Sequence, residues 1–229
     1  MPEDPQIEVA GEASLIVYLG GDSSPEVSAG VQALALALRE RLADLLEDLI
    51  PSYASVLVLF DPLRTDHDKI SAIVRECCAE LGSFTPDSGS LVEVPVYYAP
   101  ESGADIEALG ERSGLGWRGV AELHASIEYR VYAVGFAPGF AYLGEVDERI
   151  AAPRLATPRK RVPQGAVAIA DRQTAVYPSP SPGGWNLIGR SPMCMFDASR
   201  KDPMPVRVGD RVRFVPIDRS RYQALGGTL

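Results

Sequence analysis

The fold and the candidate site of this chain are decided by one stretch, residues 135–190, which reads GFAPGFAYLGEVDERIAAPRLATPRKRVPQGAVAIADRQTAVYPSPSPGGWNLIGR. Its short apolar pieces follow no helical or strand period, because turn sequences such as Ala137-Pro138-Gly139 and Pro163-Gln164-Gly165 interrupt them. Proline fixes φ, and glycine permits positive φ and close backbone approach. Fixed corners of this kind specify loop shape, and shaped loops on a rigid scaffold commonly bind ligands. The alternative is a proline-rich connector of a small β barrel that holds no site.

A basic cluster lies inside this stretch. Arg159 and Arg161 flank Lys160 on a loop framed by prolines, where three like charges repel each other unless an anion offsets them. A ligand carboxylate or phosphate would do so, because arginine presents a planar donor fork to either group. An acidic side chain from the N-terminal lobe would do so equally well. Arg190, at the end of the stretch, is a further candidate cation.

The sharpest turn of the stretch is Ser181-Pro182-Gly183-Gly184. Its two glycines allow successive backbone N–H groups to point into a small anion-binding concavity. The following residue, Trp185, either forms a wall of that concavity or packs in the core. Gln173 and Tyr177 are four residues apart, so they share one face of a regular strand.

The common catalytic motifs are absent from the sequence. It contains no GxxxxGKS/T phosphate-binding loop, GxGxxG, HExxH, CxxC or GxSxG sequence. Of the two histidines, His67 lies between two aspartates and is interpreted as a surface residue, whereas His124 has either a structural or a site role near a helix C-terminus. The chain has three cysteines, Cys77, Cys78 and Cys194, which lack metal-ligand spacing. They are interpreted as buried cytosolic thiols, and no metal site is predicted.

The composition excludes several classes of protein. The net charge of the 229 residues is −9, which argues against general nucleic-acid binding. No apolar run approaches the roughly 20 residues of a membrane span, and residues 1–14 resemble a frayed polar tail, not a secretory signal. Residues 150–229 hold 13 Lys and Arg against 5 Asp and Glu, whereas residues 1–149 hold 9 against 26. This asymmetry favours two lobes, of which the basic one handles an anion or an acidic partner.

The order of the elements predicts an α+β protein with two domains, residues 14–88 and 89–229. The first domain is predicted to be a small α/β lobe. It consists of a strand at 15–20, a helix from a Ser24 N-cap to about residue 49, a strand at 56–60 and a helix to about residue 81. Residues 82–90 are the predicted linker. The later part predicts helices at 105–112 and 117–126 and a small β barrel with strands at 91–98, 127–136 and 207–216, the first near an edge because of Pro95.

Several ordered motifs resemble one family over nearly the whole chain after about residue 14. They are Gly135 to Gly144, Thr157-Pro158-Arg159 with Arg161-Val162-Pro163, Gln173-Thr174 with Tyr177-Pro178, and Ser181 to Trp185 with Ile188-Gly189-Arg190. The family is the B subunit of bacterial 5-oxoprolinase, also called the KipI or allophanate-hydrolase-subunit-1 family. The resemblance implies a small N-terminal α/β sandwich and a C-terminal cyclophilin-like β barrel.

The resemblance also implies a function in the cytoplasm. The chain would work with A and C subunits to open the ring of 5-oxo-L-proline and give L-glutamate at the expense of ATP, which need not bind this chain. Two alternatives are a KipI-type inhibitor of a sensor histidine kinase and a carboxyltransferase-like component of a urea carboxylase system. The predicted partners include neither nucleic acid nor membrane.

The site residues are predicted from motif chemistry. The predicted catalytic residues are His124, Arg159, Arg161, Gln173 and Arg190. The predicted substrate-binding residues are Phe136, Pro138, Phe140, Tyr177, Ser181, Gly183, Gly184 and Trp185.

Overall fold

A computed structural model describes residues 5–21, 24–80 and 89–229. The chain divides into two compact units, and the second unit begins at Gly89. The predicted linker at 82–90 lies outside the described residues except for its last two. The predicted α+β fold class is confirmed, with a small α/β sandwich followed by a barrel-like sheet.

The first unit is a four-stranded antiparallel sheet with two helices. Its elements are β1 (Gln6–Gly11), β2 (Ser14–Tyr18), α1 (Pro25–Leu42), a short 3₁₀ turn (Ala43–Leu45), β3 (Leu46–Pro51), β4 (Ser55–Phe60) and α2 (His67–Glu80). The strands are ordered β1-β2-β4-β3. Inward-facing side chains alternate along β4, because Val56, Val58 and Phe60 are buried whereas the intervening residues are half-buried. These three pack in one core with the stripe Val31, Leu34, Leu38 and Leu42 of α1.

Two sequence predictions in this unit are wrong. Helix α1 has the expected Ser24 cap but ends at Leu42, and Ala43 takes a positive φ of 39° that breaks it. The spacing of the leucines predicts a helical stripe that continues to Leu49, but Leu49 reaches the same core from β3. The prediction failed because a buried leucine at this spacing fits either a helix or a strand. The expected frayed tail is also wrong for residues 6–11, which pair with β2.

The second unit is a β barrel with helices. Its elements are β5 (Leu91–Val96), α3 (Ile106–Ser113), α4 (Gly116–Ala125), β6 (Glu128–Val134), β7 (Ala141–Gly144), β8 (Arg159–Val162), β9 (Ala166–Ala170), β10 (Gln173–Val176), β11 (Ser181–Gly183), β12 (Asn186–Arg190), β13 (Arg211–Pro216) and α5 (Arg219–Ala224). Seven strands follow the order β12-β9-β10-β7-β6-β13-β5, and β8 pairs with β11 in a separate ribbon. The end strand β5 carries Pro95, as predicted for an edge.

The two ends of the seven-stranded sheet meet through the backbone of one residue pair. The Tyr97 N–H donates to the Arg190 carbonyl at 2.8 Å, and the Arg190 N–H donates to the Tyr97 carbonyl at 2.9 Å. Tyr97 follows β5, and Arg190 ends β12. This reciprocal pair therefore joins the first and last strands of the sheet and closes the barrel.

The sequence of β9 separates two apolar layers. All five residues of Ala166–Ala170 are buried. The branched Val167 and Ile169 belong to the large core of the unit, whereas the three alanines belong to a smaller core with Phe140, Tyr177 and Trp185. Because successive strand residues face opposite sides, the alanines leave room on one side for bulky aromatic rings. That side carries the candidate site.

No helix among the described residues has the length and apolar character that a bilayer crossing requires. The cysteines divide into two kinds. Cys77 and Cys78 are buried on α2, and burial raises the pKa of Cys78 to about 11. Cys194 is exposed in the segment after β12, so the prediction of three buried thiols is wrong for this residue.

Candidate functional site

The smaller core opens into an aromatic recess, which is the candidate site. Its volume is ≈ 100 Å³, and its lining residues are Phe136, Phe140, Tyr142, Arg154, Tyr177, Pro182, Gly183, Gly184 and Trp185. Six of the eight residues predicted to bind substrate are therefore brought together here. Pro138 and Ser181 do not line the recess, although each belongs to the same loop or strand as a residue that does.

Phe140 is the centre of the aromatic lining. Its ring makes edge contacts with Tyr142, Tyr177 and Trp185, at centroid distances of 4.9, 5.3 and 5.6 Å. Interplanar angles of 63–86° place ring edges against ring faces, which is a favoured aromatic geometry. Tyr142 was not predicted as a site residue, yet it lies two residues after Phe140 at the start of β7, so strand alternation would have placed both on one face.

Gly183 lies against the hydroxyl of Tyr177. A Cβ atom at position 183 would lie 2.4 Å from Tyr177 Oη, so any other residue type would force the tyrosine to shift. Burial raises the pKa of Tyr177, although the guanidinium of Arg154 acts in the opposite direction. Tyr177 is therefore a neutral phenol at neutral pH. The sequence pattern predicts anion binding at the glycines, whereas for Gly183 the structure shows close packing on the tyrosine.

The rim of the recess is a strained aromatic loop. Phe136 has a φ of 68° and is 63% exposed, while its ring contacts the buried Phe140 at 5.2 Å. Backbone hydrogen bonds from Ala137 to Gly135 and from Phe140 to Ala137 hold this turn. Gly139 supports it with a φ of 88°, in a place where a Cβ would lie 2.7 Å from the Met195 carbonyl oxygen. Non-glycine residues with positive φ cluster at ligand-binding sites, so this strain supports a site role for the loop.

Arg154 is the charged residue of the lining, and it is not among the residues predicted from the sequence. Its guanidinium carbon lies 5.9 Å from the centroid of the Trp185 ring, within the range of cation–π attraction. The side chain is exposed and makes no ion pair with any residue that the structure describes. No local signal marks Arg154, because it precedes the conspicuous cluster at 159–161 and comes close to Trp185 only through the fold.

The predicted catalytic cations take other positions. Arg159 Nη2 lies 2.6 Å from Asp105 Oδ1, and its Nη1 donates to the Trp185 carbonyl at 3.4 Å. The acid that offsets Arg159 is therefore Asp105 of the barrel unit itself. Of the two alternatives that the sequence left open, an acid from the N-terminal lobe is wrong for this residue. Arg161 is exposed on β8 and does not line the recess.

Arg190 serves the C-terminal segment. Besides closing the barrel through its backbone, it donates from Nη1 to the Thr228 carbonyl at 3.0 Å. The Tyr222 hydroxyl donates to the same carbonyl at 2.9 Å. Arg190 is not among the residues that line the recess.

His124 lies wholly inside the barrel core. Its Nδ1 is 2.8 Å from the Tyr98 hydroxyl, and its Nε2 is 2.9 Å from Thr174 Oγ1. Because the Thr174 hydroxyl hydrogen is donated to the Ala168 carbonyl, Nε2 carries the proton and Nδ1 accepts from Tyr98. Burial lowers the pKa of His124 to about 3, so the imidazole is neutral. Of the two roles left open by the sequence, the geometry favours structural hydrogen bonding.

Gln173 begins β10, where it is half-buried opposite Gly144 and Ala170, and it does not line the recess. The Oγ atom of Ser181, on β11, is buried without a hydrogen-bond partner among the described residues.

No group of three or more His, Cys, Asp or Glu side chains in the described ranges is placed to hold a metal ion. The chemistry available at the recess is thus apolar contact, one cation and the hydroxyls of two tyrosines.

Residues 5–206, which include most of both units, match the family model described as "Carboxyltransferase domain, subdomain C and D". The chain is 35% identical to the B subunit of 5-oxoprolinase from Bacillus subtilis, over 96% of this chain and 95% of that protein. It is 38% identical to the B subunit of 5-oxoprolinase from Escherichia coli O157:H7, over 90% of this chain and 93% of that protein. The chain therefore belongs to the family of 5-oxoprolinase B subunits.

Solved structures share the fold. The crystal structure of TTHA0988 superposes with a TM-score of 0.80 at 36% identity and covers 93% of this chain, which spans only 40% of the TTHA0988 chain. The Kluyveromyces lactis urea amidolyase superposes with a TM-score of 0.78 over 98% of this chain and 16% of that enzyme. At 15% identity, this second likeness shows the fold alone.

Proposed function

We propose that this chain is the B subunit of an ATP-dependent 5-oxoprolinase, which acts with A and C subunits in the cytoplasm. The complex would hydrolyse 5-oxo-L-proline to L-glutamate with hydrolysis of ATP. The observation that carries the proposal is the 35% identity to a protein named as the B subunit of 5-oxoprolinase, over almost the full length of both chains. Identity at that level and coverage favours a shared role as well as a shared fold.

The reaction requires that the lactam be activated before water attacks it. A lactam is a poor electrophile, and phosphorylation of its carbonyl oxygen would make it reactive toward water. The sequence contains no phosphate-binding loop of the GxxxxGKS/T type. The recess of ≈ 100 Å³ is also far below the roughly 300 Å³ at which drug-sized ligand pockets begin. We therefore place ATP outside the recess and propose that this chain holds the lactam and is inactive alone.

The experiment is reconstitution from purified subunits. This chain is mixed with its A-type and C-type partners, and glutamate release from 5-oxo-L-proline is followed with and without ATP. Turnover is expected only when all three chains and ATP are present. A matched control adds this chain after heat denaturation. Undiminished turnover when the chain is omitted would defeat the proposal.

The urea carboxylase alternative is supported by the match to the carboxyltransferase family model and by a likeness of fold, and neither carries an argument about substrate. Omitting 5-oxo-L-proline and supplying urea to the same mixture tests it directly. Nothing in the geometry of the recess favours the kinase-inhibitor alternative over the proposed function.

A further inference from the structure

We propose that Arg154 is the carboxylate-binding residue of the aromatic recess, and that the recess between Phe136 and Trp185 receives the five-membered ring of 5-oxo-L-proline. This inference rests on the proposed function for the identity of the ligand. It assigns the binding role to a residue outside the conspicuous basic cluster at 159–161.

The first argument is the charge of the lining. Arg154 is the basic residue among the nine that line the recess, and the other eight are aromatic residues, proline and glycine. Arg159 lies nearby but is neutralised by Asp105 at 2.6 Å, and Arg190 is hydrogen bonded to the C-terminal segment. A carboxylate that enters the recess therefore contacts the Arg154 guanidinium, which forms no ion pair with any acidic residue that the structure describes.

The second argument is geometry. With its carbon 5.9 Å from the centroid of the Trp185 ring, the guanidinium lies over the aromatic surface, and no ion pair with a described residue engages it. An arginine in this arrangement is partly ordered before the ligand binds, which lowers the entropy lost when a bidentate carboxylate contact forms. The buried Tyr177 is a neutral phenol, so it adds no negative charge that would repel the ligand.

The third argument is size and polarity. A volume of ≈ 100 Å³ is about a third of the roughly 300 Å³ at which drug-sized ligand pockets begin, which suits one small ring and not a nucleotide. The exposed ring of Phe136 and the buried ring of Trp185 offer apolar surfaces to the methylene groups of such a ring. The strained backbone at Phe136 fixes its aromatic side chain at the rim, where it would contact the ligand.

The test begins with the full chain alone, using calorimetry or ligand-observed NMR. The probes are 5-oxo-L-proline and 2-pyrrolidinone, which is the same lactam ring without the carboxylate. Arg154→Gln is expected to weaken 5-oxo-L-proline binding about tenfold or more and to leave 2-pyrrolidinone binding within about twofold. The matched control is Arg118→Gln, because Arg118 is also an exposed arginine over a tryptophan, 4.6 Å from the Trp117 ring, but lies outside the recess.

Fluorescence locates the binding event. The chain has two tryptophans, so Trp117→Phe leaves Trp185 as the reporter. Titration with 5-oxo-L-proline is expected to change the Trp185 emission in this background, and the additional Arg154→Gln substitution is expected to shift the midpoint by the same factor as in calorimetry. Binding without any change of Trp185 emission would overturn the placement of the ligand in the recess.

The same variants are then measured in the reconstituted enzyme. Arg154→Gln is expected to raise KM for 5-oxo-L-proline about tenfold, with a smaller effect on kcat. Normal glutamate release with an unchanged KM would overturn the role of Arg154 and leave the proposed function standing. Absence of any ATP-dependent glutamate release would defeat the proposed function. The role of Arg154 would then be decided by the affinities of the isolated wild-type and Arg154→Gln chains for 5-oxo-L-proline. Equal affinities, or no binding to the wild type, would overturn that role.

Discussion

The guanidinium of Arg159 lies 2.6 Å from the carboxylate of Asp105, and both side chains are largely shielded, at 27% and 15% exposure. The second carboxylate oxygen of Asp105 accepts the Leu187 N–H at 2.6 Å. Asp105 precedes α3, Arg159 begins β8 and Leu187 lies on β12. One carboxylate thus joins three elements of the barrel unit, so the most conspicuous arginine of the sequence has a structural partner.

The Asp105–Arg159 pair is expected to stabilise the barrel unit. Arg159→Met should lower its free energy of unfolding by about 1–3 kcal/mol, because a largely shielded carboxylate loses its partner. The control is Arg207→Met, which breaks an exposed pair with Asp202 and should change stability by less than about 0.5 kcal/mol. Urea unfolding followed by tryptophan fluorescence measures this unit, since Trp117 and Trp185 both lie within it. A double-mutant cycle with Asp105→Asn that gives a coupling energy near zero would contradict the prediction.

Adjacent glycines at the recess are expected to respond differently to a methyl group. Gly183→Ala would place Cβ 2.4 Å from Tyr177 Oη and should cost about 1–3 kcal/mol as the tyrosine shifts. Gly184→Ala is the matched control, since its nearest neighbours would lie at an ordinary 3.6 Å. Urea unfolding gives the stabilities, and Trp185 emission reports the recess. Equal stabilities for the two variants would show that Tyr177 can move freely.

Arg190 is expected to hold the C-terminal segment in place. Arg190→Ala removes the hydrogen bond to the Thr228 carbonyl, leaving only that from Tyr222. Amides of residues 222–228 should then exchange with solvent several-fold faster in hydrogen exchange mass spectrometry, since the segment opens more often. Arg200→Ala, at an exposed arginine paired with Asp197, is the control and should change nothing there. Reduced turnover of the reconstituted enzyme with unaltered exchange would instead support the catalytic role predicted from the sequence.

The sequence predicts those parts of the fold in which local chemistry and burial agree. Examples are the Ser24 cap, the edge strand with Pro95 and the closing strand that ends at Pro216. Prediction fails where one apolar spacing suits two structures, as at Leu49, whose burial satisfies either a helix or a strand. It fails also at β1, where Gln6, Ile7, Glu8 and Val9 alternate as in a strand, but the alternation is short and lies in an acidic stretch that was interpreted as a tail.

The candidate site was predictable in its aromatic half and not in its charged half. Phe140, Trp185 and the glycine corner are close in the sequence to strong turn signals, which indicate shaped loops. The partner of a charged side chain depends on long-range packing: Asp105 is 54 residues from Arg159 in sequence. For the same reason Arg154 gave no signal, since its relation to Trp185 exists only in the folded barrel.

The buried histidine is expected to make the barrel unit acid-sensitive. The pKa of His124 is lowered to about 3 by burial, against about 6.5 in the unfolded chain. Between these values the unfolded state binds a proton that the folded state does not, so stability is highest above pH 6.5 and falls as the pH drops, by up to about 1.4 kcal/mol per pH unit. The groups that face the imidazole are Tyr98, Thr174, Tyr129 and Phe214. None of them carries a negative charge at these pH values that could stabilise an imidazolium, since burial raises the pKa of both tyrosines.

Urea unfolding monitored by tryptophan fluorescence, repeated from about pH 7 to about pH 4.5, measures this slope. His124→Gln can keep one hydrogen bond but cannot titrate, so its stability should be lower at neutral pH and should fall less steeply toward acid. His67→Gln, which removes a half-buried imidazole from the first unit, is the control and should retain the wild-type slope. Parallel curves for wild type and His124→Gln would mean that His124 takes up its proton in the folded state, and that the hydrogen bonds to Tyr98 and Thr174 do not hold it neutral.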